Sequence, residues 1–519
     1  MSNLSQNPKP ISRPPLAAAP LARALVLTAL AAAAVSAQVA RPLKWACIGN
    51  SITQGFTVAA TVAYPAKLGK LLGPGFTIEN DGVSGLTLLK AGDNSYWKNG
   101  KLPSVFAFKP DIITIKLGTN DSKPVNWNTH KDEFEKDYLA LIDTLAAMPQ
   151  KPRILLCLPA PAFTDGTGSG DIRGAVVKNE IIPLIKKVAE ARSLTVIDLN
   201  TPLQNSKSLF PDNVHPNEVG HDSLAAIIFR TFLANSTRLA CIGNSITQYT
   251  AQPNTDPKDA YPIKLNELLG PNWYAVNKGL SGAYVQKSSP SPYWTTGLIK
   301  STLDFKPNVI TIKLGTNDSR QQYWNTEKVT ADYKALIDTL NTLNPKPKIW
   351  LVTPIPAWQV NGAWPFDGIN NDIIKNQTLP ALKKIAQDKG LEIIDVNTPM
   401  IDLKRLVPDG VHPNAEGQDS LAHWIYRVLS APSTRIAPPA GRVTAWPEIE
   451  LRNGTLRVTL PVPAEGRAKL YTADGREQAS MDLKDGAAAM PASGLRPGRY
   501  FLSIEAPTLG LRAAKSLSL

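Results

Sequence analysis

Five histidines are spread through the 519 residues, and the chain repeats itself: ITIKLGTNDS stands at 113–122 and again at 310–319. The repeat filters the histidines. His130 aligns with Glu327, His221 with Gln418 and His423 with Ala226, so only His215 and His412 occupy equivalent places. Each lies three residues after an aspartate, in Asp212-Asn-Val-His215 and Asp409-Gly-Val-His412. Such a turn lets a carboxylate hold an imidazole tautomer and stabilise the imidazolium formed when it takes a proton. A proton donor to match is the serine of ACIGNSITQ, found at 46–54 and 240–248, which puts Ser51 and Ser245 where an apolar run gives way to a helix. A hydroxyl there faces backbone N–H groups and the positive helix end. Nucleophile and base together point to acyl transfer, which also needs donors for the developing oxyanion. Gly85 in DGVSG and Gly282 in KGLSG would let a backbone N–H approach it, and Asn120 and Asn317 in G-T-N-D offer a side-chain amide. Read singly, each residue has a plainer role. Ser51 competes with Asn50 and Thr53 to cap a helix, the aspartates suit caps, and the glycines suit tight turns.

The elements that must position these groups also come twice. FPDNVHPNEVG (210–220) matches VPDGVHPNAEG (407–417), again at an offset of 197, while the opening motif is offset by 194 because the first copy has a shorter loop before Tyr64-Pro65. A unit of this length is a whole domain rather than a solenoid repeat. Within it, short apolar runs such as KWACIG, DIITIKLG, RILLCLP and LTVIDL alternate with helical patterns such as KDEFEKDYLALIDTLAAM. Strands apolar on both faces, alternating with helices, indicate an α/β fold: two tandem three-layer α/β/α domains with parallel sheets, over residues 38–235 and 236–432. In such sheets reactive groups gather beyond the carboxyl ends of the strands, where IG-NSIT and KLG-TND place theirs. From 433 to 519 the helical period disappears, and short strand-like segments alternate around Asn453-Gly454, Asp474-Gly475 and Pro497-Gly498. This reads as a small all-β module without histidine or cysteine.

Hydrophobic content of 43% and charged content of 19% suit globular domains, and the 44 prolines and 34 glycines are scattered rather than periodic. The net charge of +13 is dispersed, its basic clusters no longer than pairs such as Lys186-Lys187. It therefore gives no nucleic-acid footprint. Residues 1–37 read as a signal peptide: a basic, acid-free stretch, the apolar run ALVLTALAAAAV, then Val35-Ser36-Ala37. That run is too short to span a bilayer comfortably, so stable membrane insertion is not expected. Cys47, Cys157 and Cys241 sit in apolar runs and read as buried free thiols.

Taken together, the four blocks resemble the SGNH hydrolases, also called GDSL-like lipases and acylhydrolases, over nearly all of both units. The resemblance implies a flavodoxin-like fold and a serine esterase without metal or cofactor. It makes Ser51 and Ser245 nucleophiles, His215 and His412 bases, and Asp212 and Asp409 their orienting acids. It makes the serine N–H, Gly85 or Gly282, and Asn120 or Asn317 the oxyanion hole. The family's usual aspartate before the serine is asparagine here, Asn50 and Asn244, and Gly55 of the first copy is Tyr249 in the second. The G-T-N-D-S neighbourhood, with nearby Tyr-Trp pairs, looks like a branch similar to sialate O-acetylesterases, with Trp97, Trp127, Trp294 and Trp324 as expected sugar platforms. The C-terminal module loosely resembles a bacterial secretion-sorting β-sandwich, a contact point for secretion machinery or the cell surface. The expectation is a secreted O-acetylesterase with two active sites, acting on an acetylated oligo- or polysaccharide. The alternatives are a lipase or thioesterase on longer acyl esters, and a glycan-binding protein with one silent site.

Overall fold

The computed structural model describes residues 41–166, 169–249 and 255–431 and, between 448 and 518, the strands but few of the residues that join them. The expected signal peptide lies outside the described residues. Chain contacts define two units, one ending at Leu429 and one beginning at Ser430.

The first unit holds both copies of the repeat. In the first copy the strands are β1 (Leu43–Gly49), β2 (Phe76–Gly82), β3 (Ile112–Lys116), β4 (Arg153–Cys157) and β5 (Thr195–Ile197), all parallel in the order β2-β1-β3-β4-β5. The second copy repeats this with β6 (Thr237–Gly243), β7 (Trp273–Gly279), β8 (Val309–Lys313), β9 (Lys348–Val352) and β10 (Glu392–Ile394), in the order β10-β9-β8-β6-β7. Central strands such as β3 and β8 are buried at every position, as runs of Ile and Thr between two helical layers must be. Ala46, Ile48, Ile113 and Ile115 face one core, with the helix Phe134–Ala146 over it. Trp45, Cys47, Ile112 and Leu155 face the other, under the helices Tyr64–Leu72 and Glu218–Ala234. This is the three-layer, doubly wound arrangement expected from the alternation. Its strand order reverses between β1 and β3, which opens a crevice at their carboxyl ends. All three cysteines are buried free thiols, and burial pushes Cys47 and Cys241 up to about 12.

The copies share a packed seam. Tyr274 on β7 inserts among Phe76, Phe229 and Phe232 of the first copy, and its hydroxyl donates to the Leu72 carbonyl at 3.1 Å. Arg153 donates to the Asn235 and Pro271 carbonyls at 2.7 and 2.9 Å. Arg41 pairs with Asp111 through two bonds of 2.8 and 2.9 Å and reaches Glu267 of the other copy.

The second unit is all-β. A three-stranded sheet and a four-stranded sheet, both antiparallel, pool Leu456, Val458, Leu470, Leu483, Leu502 and Ile504 into one core.

Candidate active site

The nucleophile motif folds as a strand, a cap and a short helix. Asn50 is the N-cap of the helix Ser51–Gln54, its Oδ1 accepting from the Ile52 N–H at 3.2 Å, and Asn244 caps Ser245–Gln248 in the same way at 3.1 Å. The capping role thus falls to the asparagine, and the serine hydroxyl is left for another partner. That partner is the histidine. Ser51 Oγ lies 2.8 Å from His215 Nε2, and His215 Nδ1 lies 2.6 Å from Asp212 Oδ2. In the second copy Ser245 Oγ is 2.8 Å from His412 Nε2, and His412 Nδ1 is 2.8 Å from Asp409 Oδ2.

The aspartate turn is built to hold this geometry. Its second residue has a left-handed backbone, Asn213 at φ 69° and Gly410 at φ 82°, where asparagine and glycine are the tolerated types. The turn folds back so that Asp212 Oδ1 accepts the Val214 and His215 N–H groups at 3.0 and 2.7 Å. Asp409 does the same with Val411 and His412 at 2.9 and 2.7 Å. Burial alone would push the Asp212 carboxyl up. The hydrogen bonds from His215 and Val214 outweigh it and hold the group below the usual carboxylate value, and those around Asp409 act likewise. Each acid is therefore kept ionised beside its imidazole.

Gly85 and Gly282 have φ of 81° and 76°, the left-handed region that favours glycine, so their turns need that residue type. Asn120 Nδ2 donates one proton to the Leu86 carbonyl at 2.9 Å, and Asn317 Nδ2 donates to Ala283 at 2.9 Å. Each amide keeps a second proton for an oxyanion. The aspartate after each asparagine has a role that sequence reading missed. Asp121 accepts the Leu88 and Leu89 N–H groups at 3.1 and 2.9 Å, and Asp318 accepts those of Val285 and Gln286 at 3.1 Å each. The G-T-N-D loop thereby clamps the glycine turn from below. Burial raises both carboxyls to about 6 against the pull of these N–H donors. The signal was present in the sequence as ten identical residues containing an aspartate with no assigned work.

A second missed feature lies beneath the nucleophile. Lys116 and Lys313, the last residues of β3 and β8, are fully buried. Lys116 Nζ donates to Asn50 Oδ1 at 3.5 Å, and Lys313 Nζ has no hydrogen-bond partner among the described residues. Burial lowers both ammonium groups to about 7. The place of the family's usual aspartate is thus taken by an amide that carries no charge to balance the lysine.

The four tryptophans do not form a set of open platforms. Trp127 is 3% exposed, edge-on to Phe134, with its N–H donated to Glu180 at 2.7 Å. This corrects its expected sugar contact: the ring is consumed by the core. Trp97 and Trp294 are half-buried and carry a lysine ammonium on one face, Lys90 at 4.2 Å and Lys287 at 3.9 Å from the ring centre. Trp324 is half-buried against the second core, its N–H on Thr326. The aromatics nearest the imidazoles are others. Phe56, 63% exposed, lies 5.0 Å from His215, and Phe366 lies 4.8 Å from His412. They come from unrelated segments, one after the nucleophile helix and one after β9, so the repeat gave no signal for them.

Among the described residues no cluster of ligating side chains is arranged for a metal ion, and no helix is long and apolar enough to cross a membrane. A family model for the GDSL-like lipases and acylhydrolases matches residues 47–222 and 241–419, both copies. The chain belongs to this family. An acetylxylan esterase from Xylanibacter ruminicola is 41% identical over 206 residues, which cover 36% of this chain and 42% of that protein. A multidomain esterase from Ruminococcus flavefaciens is 30% identical over 119 residues, 22% of this chain and 15% of that protein. The chain thus spans less than half the length of either relative. Among solved structures, a carbohydrate acetylesterase from Sinorhizobium meliloti is 19% identical with a TM-score of 0.32, covering 38% of this chain and 99% of the other. An acetyl xylan esterase is 23% identical with a TM-score of 0.29, covering 36% of this chain and 98% of the other.

Proposed function

We propose that this GDSL-family chain is a secreted carbohydrate O-acetylesterase with two active sites, acting on acetylated xylan or a similar acetylated polysaccharide. The observation that carries the reading is the pair of hydrogen-bonded Ser-His-Asp sets at the switch points of two parallel sheets. Likeness to an acetylxylan esterase supports the acyl group and the polymer. Export is supported by the leader-like residues 1–37.

In the reaction His215 takes the Ser51 proton as the hydroxyl attacks the acetyl carbonyl. The Ser51 and Gly85 N–H groups and the Asn120 amide receive the oxyanion. The imidazolium then gives its proton to the departing sugar oxygen, which leaves as the free hydroxyl, and the acyl-enzyme is released by water activated through the same ring. Ser245, Gly282, Asn317 and His412 repeat these steps. Two linked sites raise the effective concentration of one for a polymer already held by the other.

The test is acetate release from acetylated xylan compared with hydrolysis of simple esters of rising acyl length. Preference for acetyl supports the reading. Faster turnover of octanoyl esters would replace it with a lipase or thioesterase, and no turnover of any ester with saturable glycan binding would leave a binding protein.

A further inference from the structure

A cavity of about 450 Å³ opens in the first copy beside the histidine turn, between the loop after β4, the π-helical turn Val177–Ile181 and the loop after β5. This is within the ~300–1,000 Å³ range typical of small-molecule sites. Its lining includes Phe163, Lys178, Asn179, Asn200, Gln204 and Asn205. Three of these form an ordered relay. Asn200, 3% exposed, donates to the Pro159 carbonyl at 3.0 Å and accepts from Gln204 Nε2 at 3.1 Å, and Lys178 Nζ reaches Gln204 Oε1 at 3.5 Å. Asn179 and Asn205 are exposed at its edge.

The cavity is coupled to the reacting groups by one bond. The Phe163 N–H donates to the Asn213 carbonyl at 2.7 Å, and Asn213 lies between Asp212 and His215. The aromatic wall of the cavity is thus tied to the turn that carries His215, which is what relates a molecule seated here to the first site. Amides that both donate and accept, with one half-buried aromatic wall, suit hydroxyl groups. Lys178 and Asp165 both line the cavity, so no net charge selects an anion. An acyl chain laid over the rim amides Asn179 and Asn205 would cover them without pairing them.

The second copy keeps the frame and loses the relay. Asn397 donates to Pro354 at 2.7 Å as Asn200 does to Pro159, and the Trp358 N–H donates to Gly410 as Phe163 does to Asn213. Gln204 is replaced by Ile401, 52% exposed, and Asn205 by Asp402.

We propose that this cavity is a carbohydrate subsite of the first active site, holding an uncharged sugar unit of the chain that carries the ester. The inference rests on the esterase reading above for the identity of the polymer, and on the cavity alone for the class of ligand. Gln204→Ile installs the residue the second copy already tolerates, and Asn205→Ala removes an exposed amide without touching the core. Both are made in the full chain carrying Ser245→Ala, so that only the first site reports. The expected result is a fall of about tenfold in the ratio of kcat/KM on acetylated xylotetraose to kcat/KM on p-nitrophenyl acetate, the worth of one or two neutral hydrogen bonds. An unchanged ratio in both variants overturns the subsite. Calorimetric titration with unacetylated xylotetraose separates this from the esterase reading. Saturable binding that Gln204→Ile weakens upholds the subsite even if acetylated saccharides are not turned over. Absence of binding to the unmodified chain overturns it even if they are.

Discussion

Replacing Lys116 or Lys313 by methionine should stabilise the protein, and by an amount that depends on pH in a defined way. A lysine in the open chain titrates at 10.5, whereas burial brings both of these to about 7. The unfolded chain therefore binds more protons than the folded one between those two values, so stability rises with pH across that window. Each pH unit is worth about 1.4 kcal/mol, so each lysine costs about 5 kcal/mol below pH 7 and nothing above 10.5. Methionine has a similar unbranched length and no charge, so it removes the cost and keeps most of the packing. Loss of the long Nζ to Asn50 contact subtracts about 1 kcal/mol from the gain at Lys116.

The assay is calorimetric melting of the unmodified chain and of Lys116→Met and Lys313→Met, at pH 6.5 and again at 9.5. For a domain of this size 1 kcal/mol moves the midpoint by roughly 2–4 °C. A net gain of about 4–5 kcal/mol should raise the melting temperature by about 8–20 °C at the lower pH. The gain should shrink to a few degrees at the higher pH. Other titrating groups change both proteins alike. Asp121 and Asp318, raised to about 6 by burial, act in the window from 3.8 to 6, where their stabilisation is lost as pH rises. A variant less stable than the parent at pH 6.5, or a gain equal at both pH values, would refute the argument that these lysines are buried at a proton-linked cost.

Three further outcomes follow from the same geometry. Asn50→Asp places a carboxylate at the Lys116 ammonium, so the first lysine should regain its charge and the rise of melting temperature from pH 7 to 10 should weaken; an unchanged slope would count against the pairing. Asn120→Ala and Asn317→Ala remove one oxyanion donor each, and in chains with the other site silenced kcat should fall about 10²–10³-fold with KM little changed, measured on acetylated xylan. Ser51→Ala and Ser245→Ala should each leave partial acetate release, and the double variant should lose at least about 10⁴-fold; complete loss from one single variant with an intact melting transition would assign all turnover to that site.

Much of the fold was legible because its signals are periodic. Strands apolar on both faces, separated by amphipathic helices, admit few solutions other than a covered parallel sheet. The hydrogen-bonded Ser-His-Asp sets were legible because duplication acted as a filter that chance histidines fail, and His130, His221 and His423 failed it. What stayed hidden depends on where side chains end up after packing. Trp127 has the composition of a sugar contact, but it meets Phe134 and Glu180 and is buried. Lys116 stands in DIITIKLG, a run otherwise typical of a central strand. Nothing in its spacing says that the ammonium ends beneath the nucleophile rather than snorkelling to solvent.

The two copies show which parts of such a site tolerate change. Groups that bond to one another are held in both: serine to histidine, histidine to aspartate, asparagine to the carbonyl after the glycine turn, and the next aspartate to two N–H groups beyond it. Each member fixes the position of another, so a change at one leaves a buried polar group without its partner, at a cost of about 1–3 kcal/mol. The walls carry no such mutual constraint. Phe56 reaches His215 from one loop and Phe366 reaches His412 from another. Gly55 ends the first nucleophile helix with a left-handed residue at φ 86°, and Tyr249 ends the second at φ 60°. A tyrosine in that region bears a strain that glycine does not, and its ring is 7% exposed, so the second helix trades backbone ease for packing. Under the two-site reading proposed above, the same hydrogen-bonded set would work behind two different walls.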